Sequence, residues 1–175
     1  MAIYHCSVKC ITRSEGRSAV AAAAYRSGEK LTNCYDGVTH DYTKKRWILH
    51  QEIMLPEQAP VSYKDRSELW NAVEMAERSS SCRLAREVQV ALPLELTMEE
   101  NIALVQQYVQ KNFVSQGMCA DIAIHSPPKT NDRHQPVDKN GHPTKLPKEM
   151  QFRNPHAHIL LTVRPVDEKG KWQPK

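Results

Sequence analysis

Polar and apolar positions alternate from the first residues onward. Over residues 3–12, Tyr4, Cys6, Val8 and Cys10 alternate with His5, Ser7 and Lys9, the period of a half-buried strand. Arg13-Ser14-Glu15-Gly16 reads as a turn, and Ser18 as the cap of a helix over residues 19–27 that ends near Gly28. The run Ala21-Ala22-Ala23-Ala24 favours helix, and its small side chains allow close packing on a sheet. Residues 33–42 are turn-rich, with Asp36-Gly37 as a hairpin signal. Residues 47–55 are expected to form a second core strand, stopped by Pro56. Residues 65–78 form an amphipathic helix carrying Leu69, Ala72, Val73 and Ala76 on one face. Residues 84–92 alternate again, with Glu87 and Gln89 opposite Val88 and Val90. Thr97 caps a helix running to about residue 115, and strands over 119–125 and 156–163 complete the pattern. The expected fold class is α+β, with helices packed on a mainly antiparallel sheet.

One segment breaks the rhythm. Residues 126–154 are rich in Pro, Lys, Asp and Asn and lie between the last two strands. A loop this long inside a compact domain is usually functional or mobile.

Composition narrows the classes. With 175 residues, a single domain over 1–175 is expected, long enough to bury a core without staples. No stretch approaches the ~18 apolar residues of a membrane span, so no membrane insertion is expected, and Met1-Ala2-Ile3-Tyr4-His5 does not read as a leader. The five cysteines cannot all pair and form no CxxC, which argues against a zinc ribbon or a disulfide scaffold and for a reducing cytoplasm. A net charge of +4 permits a nucleic-acid partner without requiring one.

The sharpest chemical signal is His156-Ala157-His158. Residues two apart on a strand project to one face, roughly 7 Å apart along it. Ala157, Ile159, Leu161 and Val163 then face the core. His125 ends the preceding strand, and antiparallel pairing across the long loop brings it beside that pair. Three imidazoles on one face suit a divalent ion with open positions. Mn, Ni, Zn or Cu fit nitrogen ligands better than Mg. Separate surface histidines are the plain alternative. Ligating histidines need an acceptor that fixes the ring tautomer. Glu87 is the candidate, and a solvated carboxylate or a partner of Arg83 or Arg86 is its alternative. Tyr25, late in the Ala-rich helix, is either a rim aromatic or a phenol nucleophile.

Three blocks together resemble the MobA/MobL (MobQ-type) conjugative relaxases. The first is Met1-Ala2-Ile3-Tyr4-His5 followed by residues 16–28, centred on Ala21-Ala22-Ala23-Ala24-Tyr25-Arg26. The second is Arg83-Leu84-Ala85-Arg86-Glu87 followed by Ala91-Leu92-Pro93. The third is Asn154-Pro155-His156-Ala157-His158 followed by Leu161-Thr162-Val163-Arg164-Pro165. The resemblance implies an HUH endonuclease fold and nicking of DNA at a plasmid transfer origin. It makes Tyr25 the nucleophile, His125, His156 and His158 the ligands of one divalent ion (Mn or Mg, with Ni or Zn next), and Glu87 the residue that orients a ligand. The partners it implies are single-stranded DNA at the origin, relaxosome accessory proteins and a coupling protein. It also implies a bacterial cytoplasmic protein that passes with the DNA into the recipient cell. Members of this family are usually longer, so the chain is expected to be the N-terminal nickase part of a larger protein.

A phosphate track is expected from Lys9 on the polar face of the first strand, from Arg13, Arg17 and Arg26 flanking the first helix, and from Lys129, Arg133, Lys145, Lys148 and Arg153 on the long loop. Three other readings remain alongside. A replication initiator or transposase of the same superfamily typically carries its tyrosine after the histidines, whereas Tyr25 precedes them. A non-catalytic nucleic-acid binder, or a hydrolase of small phosphodiesters, would form no covalent adduct with DNA.

Overall fold

The computed structural model describes residues 5–175. The strand expected from residue 3 is described as β1 (Cys6–Thr12), and Ile3 and Tyr4 lie outside the described residues. The chain continues through α1 (Ala19–Ser27), a hairpin of β2 (Lys30–Thr32) and β3 (Thr39–Asp41), and β4 (Ile48–Met54). It then forms α2 (Arg66–Ala76), β5 (Arg83–Ala91), α3 (Met98–Asn112), β6 (Ala120–His125) and β7 (His156–Thr162).

The fold is α+β, built on a five-stranded sheet in the order β1-β5-β7-β6-β4 with every neighbouring pair antiparallel. The strand expected at 47–55 is an edge of the sheet and not a core strand. Five of its residues are half-buried, and Leu49 and Gln51 are exposed.

Strand parity divides the sheet into two faces. Ala157, Ile159 and Leu161 pack with Ile122, Ile124, Val88 and, from α3, Val105 and Val109. Leu160 of the other face packs with Ile11, Ala85, Ala19, Ala22, Ala23 and Ala24 of α1, and Leu69, Trp70 and Val73 of α2. Helices therefore cover both faces. α1 and α2 share the face that carries His156 and His158.

The placement of α1 matters most for the site. Ser18 Oγ accepts from Ala21 N at 3.1 Å, and buried Glu74 of α2 accepts from Ala19 N at 2.7 Å, so orphan amides of the first turn are satisfied. Ala19, Val20, Ala22, Ala23 and Ala24 are buried, and a helix without bulk on that face can lie close to the sheet. Gly28 closes the helix at φ +70°, donating to Ala24 O.

α2 is itself fixed to β6. Arg66 donates to Asp121 from Nε at 2.8 Å and from Nη2 at 2.9 Å, and Trp70 Nε1 donates to the same carboxylate at 2.9 Å. Breaking a buried pair of this kind costs about 3–5 kcal/mol, because the remaining charge is left uncompensated. β6 ends at His125, so this network sets one wall of the site.

Residues 126–154 form a hydrogen-bonded excursion. Bridges join Pro128 to Phe152, Thr130 to Pro136 and Val137 to Pro143. Lys129 N donates to Gln151 O, and Arg153 N donates to Pro127 O.

Candidate functional site

Register brings the predicted residues together. On the sheet, His125 pairs with His156, and His158 lies between Ala123 on one side and Gln89 on the other. Glu87 is opposite Leu160, one step further along the same face. The rings of His156 and His158 lean together to a centroid distance of 5.0 Å, closer than the strand spacing of their backbones. His125 lies 5.9 Å from His156 and 4.8 Å from His158. One nitrogen from each ring falls within 4.8 Å of the others, so the three can hold a metal ion.

The tautomers are fixed by their outer partners. A carbonyl oxygen can only accept, so His125 carries its proton on Nε2 and donates it to Arg26 O at 2.7 Å. His156 Nδ1 donates to Asn154 O at 3.2 Å. His158 Nδ1 donates to Glu87 Oε1 at 2.7 Å. Each ring is left with one bare nitrogen, and each has the oxygen acceptor that metal-ligating histidines use.

Electrostatics support the same protonation. Burial, followed by the charges of Lys45 and the two other rings, lowers His125 to about 4 despite its bond to Arg26. Burial also lowers His156. For Glu87, burial works to raise the pKa, but hydrogen bonds from His158 and Arg26 and the Arg26 charge outweigh it and hold the carboxyl at about 2. Glu87 is therefore an anion at neutral pH. Its second partner is Arg26, whose Nε donates to it at 2.7 Å, and neither Arg83 nor Arg86.

Tyr25 sits at the C-terminal end of α1 with half its surface exposed (49%). It lines the same cleft, ≈ 450 Å³, as His125, His156 and His158. Tyr42 packs edge-on against its ring at 5.2 Å. Lys45 lies over the ring at 3.6 Å and donates to Tyr25 O at 2.6 Å. A second cleft, ≈ 640 Å³, adjoins Tyr25 on the α1 side and is lined by Lys9, Arg17, Arg26, His40 and Glu87, among others.

The expected phosphate-binding residues divide. Lys9 and Arg17 are exposed in the second cleft, and Arg153 is exposed in the first. Arg13 is turned inward, donating to the Glu74 carboxylate at 2.9 Å and to backbone oxygens, with Tyr35 beneath it. Arg26 is committed to Glu87 and Ala22 O. Lys129 is exposed on the long segment, outside the lining of both clefts.

Sequence reasoning gave no site role to His5, Lys45, Arg46 or Trp47, which all line the cleft of the three histidines. The signal was present in Lys44-Lys45-Arg46-Trp47, cations beside an aromatic just before a strand.

The sequence model of the MobA/MobL family matches residues 17–175. Mobilization protein MobL of Acidithiobacillus ferridurans is 41% identical over 172 residues, covering 97% of this chain and 45% of that protein. Conjugal transfer protein TraA of Agrobacterium fabrum is 37% identical over 180 residues, covering 97% of this chain and 14% of that protein. The chain thus spans less than half the length of these relatives. A solved structure described as the molecular basis of vancomycin resistance transfer in Staphylococcus aureus superposes with a TM-score of 0.79 at 30% identity, covering 99% of this chain and 77% of that one.

Proposed function

Because this chain belongs to the MobA/MobL family, we propose that it acts in conjugative transfer as a metal-assisted nickase, cutting one DNA strand at a transfer origin by tyrosine transesterification. The observation that carries this reading is the shared cleft: three imidazoles that each offer a nitrogen within 4.8 Å of the others, and an accessible phenol on the helix end that one of those imidazoles holds. On this reading the α+β core is the HUH endonuclease fold, and 1–175 is the nickase part of a longer protein.

His125, His156 and His158 would hold one divalent ion. When bound, it supplies Lewis-acid polarisation of the scissile phosphate. Three nitrogen donors suit Mn, Ni or Zn better than Mg. The chain's own residues do the rest. Tyr25 Oη attacks phosphorus in line, so that a phosphorus–oxygen bond forms to the phenol and the bond to the 3′ oxygen breaks. The phenol's proton is lost to solvent, and the departing 3′ oxygen takes one up. The products are a 5′-phosphotyrosyl strand and a free 3′-hydroxyl, which can reverse the step and reseal the DNA. Glu87 keeps His158 in the tautomer that offers Nε2, and Arg26 keeps Glu87 ionised. Lys9, Arg17, Arg46 and Arg153 neutralise backbone phosphates on either side of Tyr25.

The substrate is single-stranded DNA around the nick. The implied partners are relaxosome accessory proteins and a coupling protein, and the implied place of action is the bacterial cytoplasm, with passage into the recipient alongside the DNA. No helix among the described residues is long and apolar enough to cross a membrane.

The test is a covalent-adduct gel. Single-stranded oligonucleotides tiled across DNA next to the gene are mixed with protein and Mn, with EDTA and Tyr25→Phe controls. An SDS-resistant shifted band that requires both metal and Tyr25 is expected. Oligonucleotide binding without a band would point to a non-catalytic binder. Turnover of generic diesters without a band would point to a hydrolase. A nick at a replication origin would point to an initiator.

A further inference from the structure

We propose that Trp47, backed by Phe152, is a stacking platform for a nucleobase of the strand beside the bond that Tyr25 attacks. The proposal rests on the nicking reading and adds a base-binding subsite to it.

The backbone is the first argument. Trp47 has φ 69°, in the left-handed region, and His134 is the only other non-glycine there among the described residues. A bulky side chain in that region is a genuine outlier, held only when its surroundings over-determine it. Here they do. Ser126 N donates to Trp47 O at 3.1 Å, tying the turn before β4 to the start of the long segment. Glycine would adopt this conformation freely, so the side chain is present despite a backbone cost.

The core does not account for it. Trp70 is fully buried with its indole N–H on Asp121, and Trp172 stacks on Tyr63 at 5.5 Å with planes 6° apart. Trp47 is only half-buried and lines the cleft with Tyr25 and the three histidines. Its partner, Phe152, meets it near edge-on, with ring centroids 5.0 Å apart and planes at 69°. The two rings meet at an angle and are not stacked face to face, and Phe152 is itself exposed.

The neighbourhood fits a nucleotide and not merely an apolar group. Lys45 and Arg46 precede the indole in the chain, and Arg153 follows Phe152, all three lining the same cleft. Cations that follow the phosphates, interleaved with an aromatic that takes a base, are how single strands are bound without base-edge readout. A base seated on Trp47 would hold the adjacent phosphodiester between the histidines and Tyr25. The platform fixes position and tolerates any base, since each presents a π face.

The experiment compares the wild type with Trp47→Gly and Trp47→Phe. The probes are fluorescein-labelled oligo-dT and the tiled oligonucleotide of strongest binding, the latter also carrying single abasic sites. Three results are expected. Trp47→Gly weakens binding about tenfold or more while its Tm stays at or above wild type, and Trp47→Phe retains most of the affinity. DNA quenches wild-type tryptophan fluorescence, and this quenching is absent in Trp47→Phe, where Trp70 and Trp172 remain. One abasic position costs affinity in wild type but not in Trp47→Gly. Binding by Trp47→Gly within twofold of wild type, or equal quenching in Trp47→Phe, overturns the proposal. If Trp47→Gly does not fold, the fluorescence comparison decides alone. Adduct formation by wild type is scored in parallel. An adduct with no Trp47 effect sinks the platform and leaves the nickase, whereas Trp47-dependent stacking with no adduct does the reverse.

Discussion

The Lys45 ammonium grips Tyr25 at two points, lying 3.6 Å from the ring centroid and donating to the backbone oxygen at 2.6 Å. The phenol is thereby held against the end of α1, with Tyr42 at its edge. Burial and the nearby Arg26 charge lower Lys45 to about 8, partly opposed by Glu87. A lowered ammonium pKa means the charge is complete well below pH 8 and lost as pH rises through it. Lys45→Met should slow single-turnover adduct formation about tenfold, the scale of a partly desolvated cation–π contact together with lost orientation. Lys45→Arg stays charged at every accessible pH. The ratio of wild-type to Lys45→Arg rates is therefore expected to fall between about pH 7 and 9. A flat ratio would remove Lys45 from the positioning of Tyr25.

Glu87 serves two partners at once, accepting from His158 and from Arg26. Glu87→Gln can still accept from one of them, but its amide then turns a donor toward the other. Metal affinity measured by calorimetry with Mn or Ni should fall about 10–100-fold, the usual effect of losing a ligand's outer partner. Arg26→Met should act in the same direction. Unchanged affinity in both would mean that His158 is oriented by packing alone.

Much of this was legible in the chain, and the reason is strand periodicity. The spacing of His156 and His158, with His125 at the end of the preceding strand, determines a shared face once those strands pair, and antiparallel pairing across a loop is the simplest connection. Two helices were marked by Ser18 and Thr97, whose side chains cap as their chemistry suggests, and the second by its apolar spacing, with Asp65 capping it in the structure. What escaped depended on contacts distant in sequence. Nothing local says that Arg13 turns inward to Glu74, 61 residues away. Nor does the pattern of 47–55 reveal an edge strand, because sheet order is set by which strands pair. Lys45 carried no signal of its own and Trp47 read only as the first residue of a strand, since their place in the cleft depends on α1 and the long segment arriving beside them.

Acid should weaken the metal-free fold in two windows. His125 is lowered from 6.5 to about 4, so the unfolded chain binds the extra proton first and stability drains as pH falls from about 6.5 to 4. Glu87 is lowered from 4.5 to about 2, and its contribution is full above about 4.5 and drains below that. Urea midpoints taken from pH 7.5 down to 3 should decline across both ranges. Glu87→Gln should flatten the lower one, and His125→Gln the upper one. A His125→Gln slope equal to wild type between pH 6.5 and 4.5 would show that His125 is not held neutral by the fold.

Gly28 ends the helix that carries Tyr25 and lies against Ile48, on the strand that pairs with His125. Its φ is +70°, and a Cβ there would lie 2.6 Å from Ile48 Cδ1. Ile48 in turn pairs with His125 on β6. Alanine at this position pays the left-handed penalty of roughly 1–2 kcal/mol and also pushes on Ile48. Gly28→Ala should lower Tm by about 2–8 °C for a chain of this size. It should also weaken Mn binding, because the displaced helix end carries the Arg26 carbonyl away from His125 Nε2. Two further variants separate the causes. Gly28→Asn tolerates the backbone conformation but keeps the clash, so it should rescue little. Gly28→Ala combined with Ile48→Ala relieves the clash, so it should restore metal affinity while leaving the backbone penalty in Tm. Full rescue by Asn instead would place the whole effect in backbone conformation and uncouple α1 from the metal site.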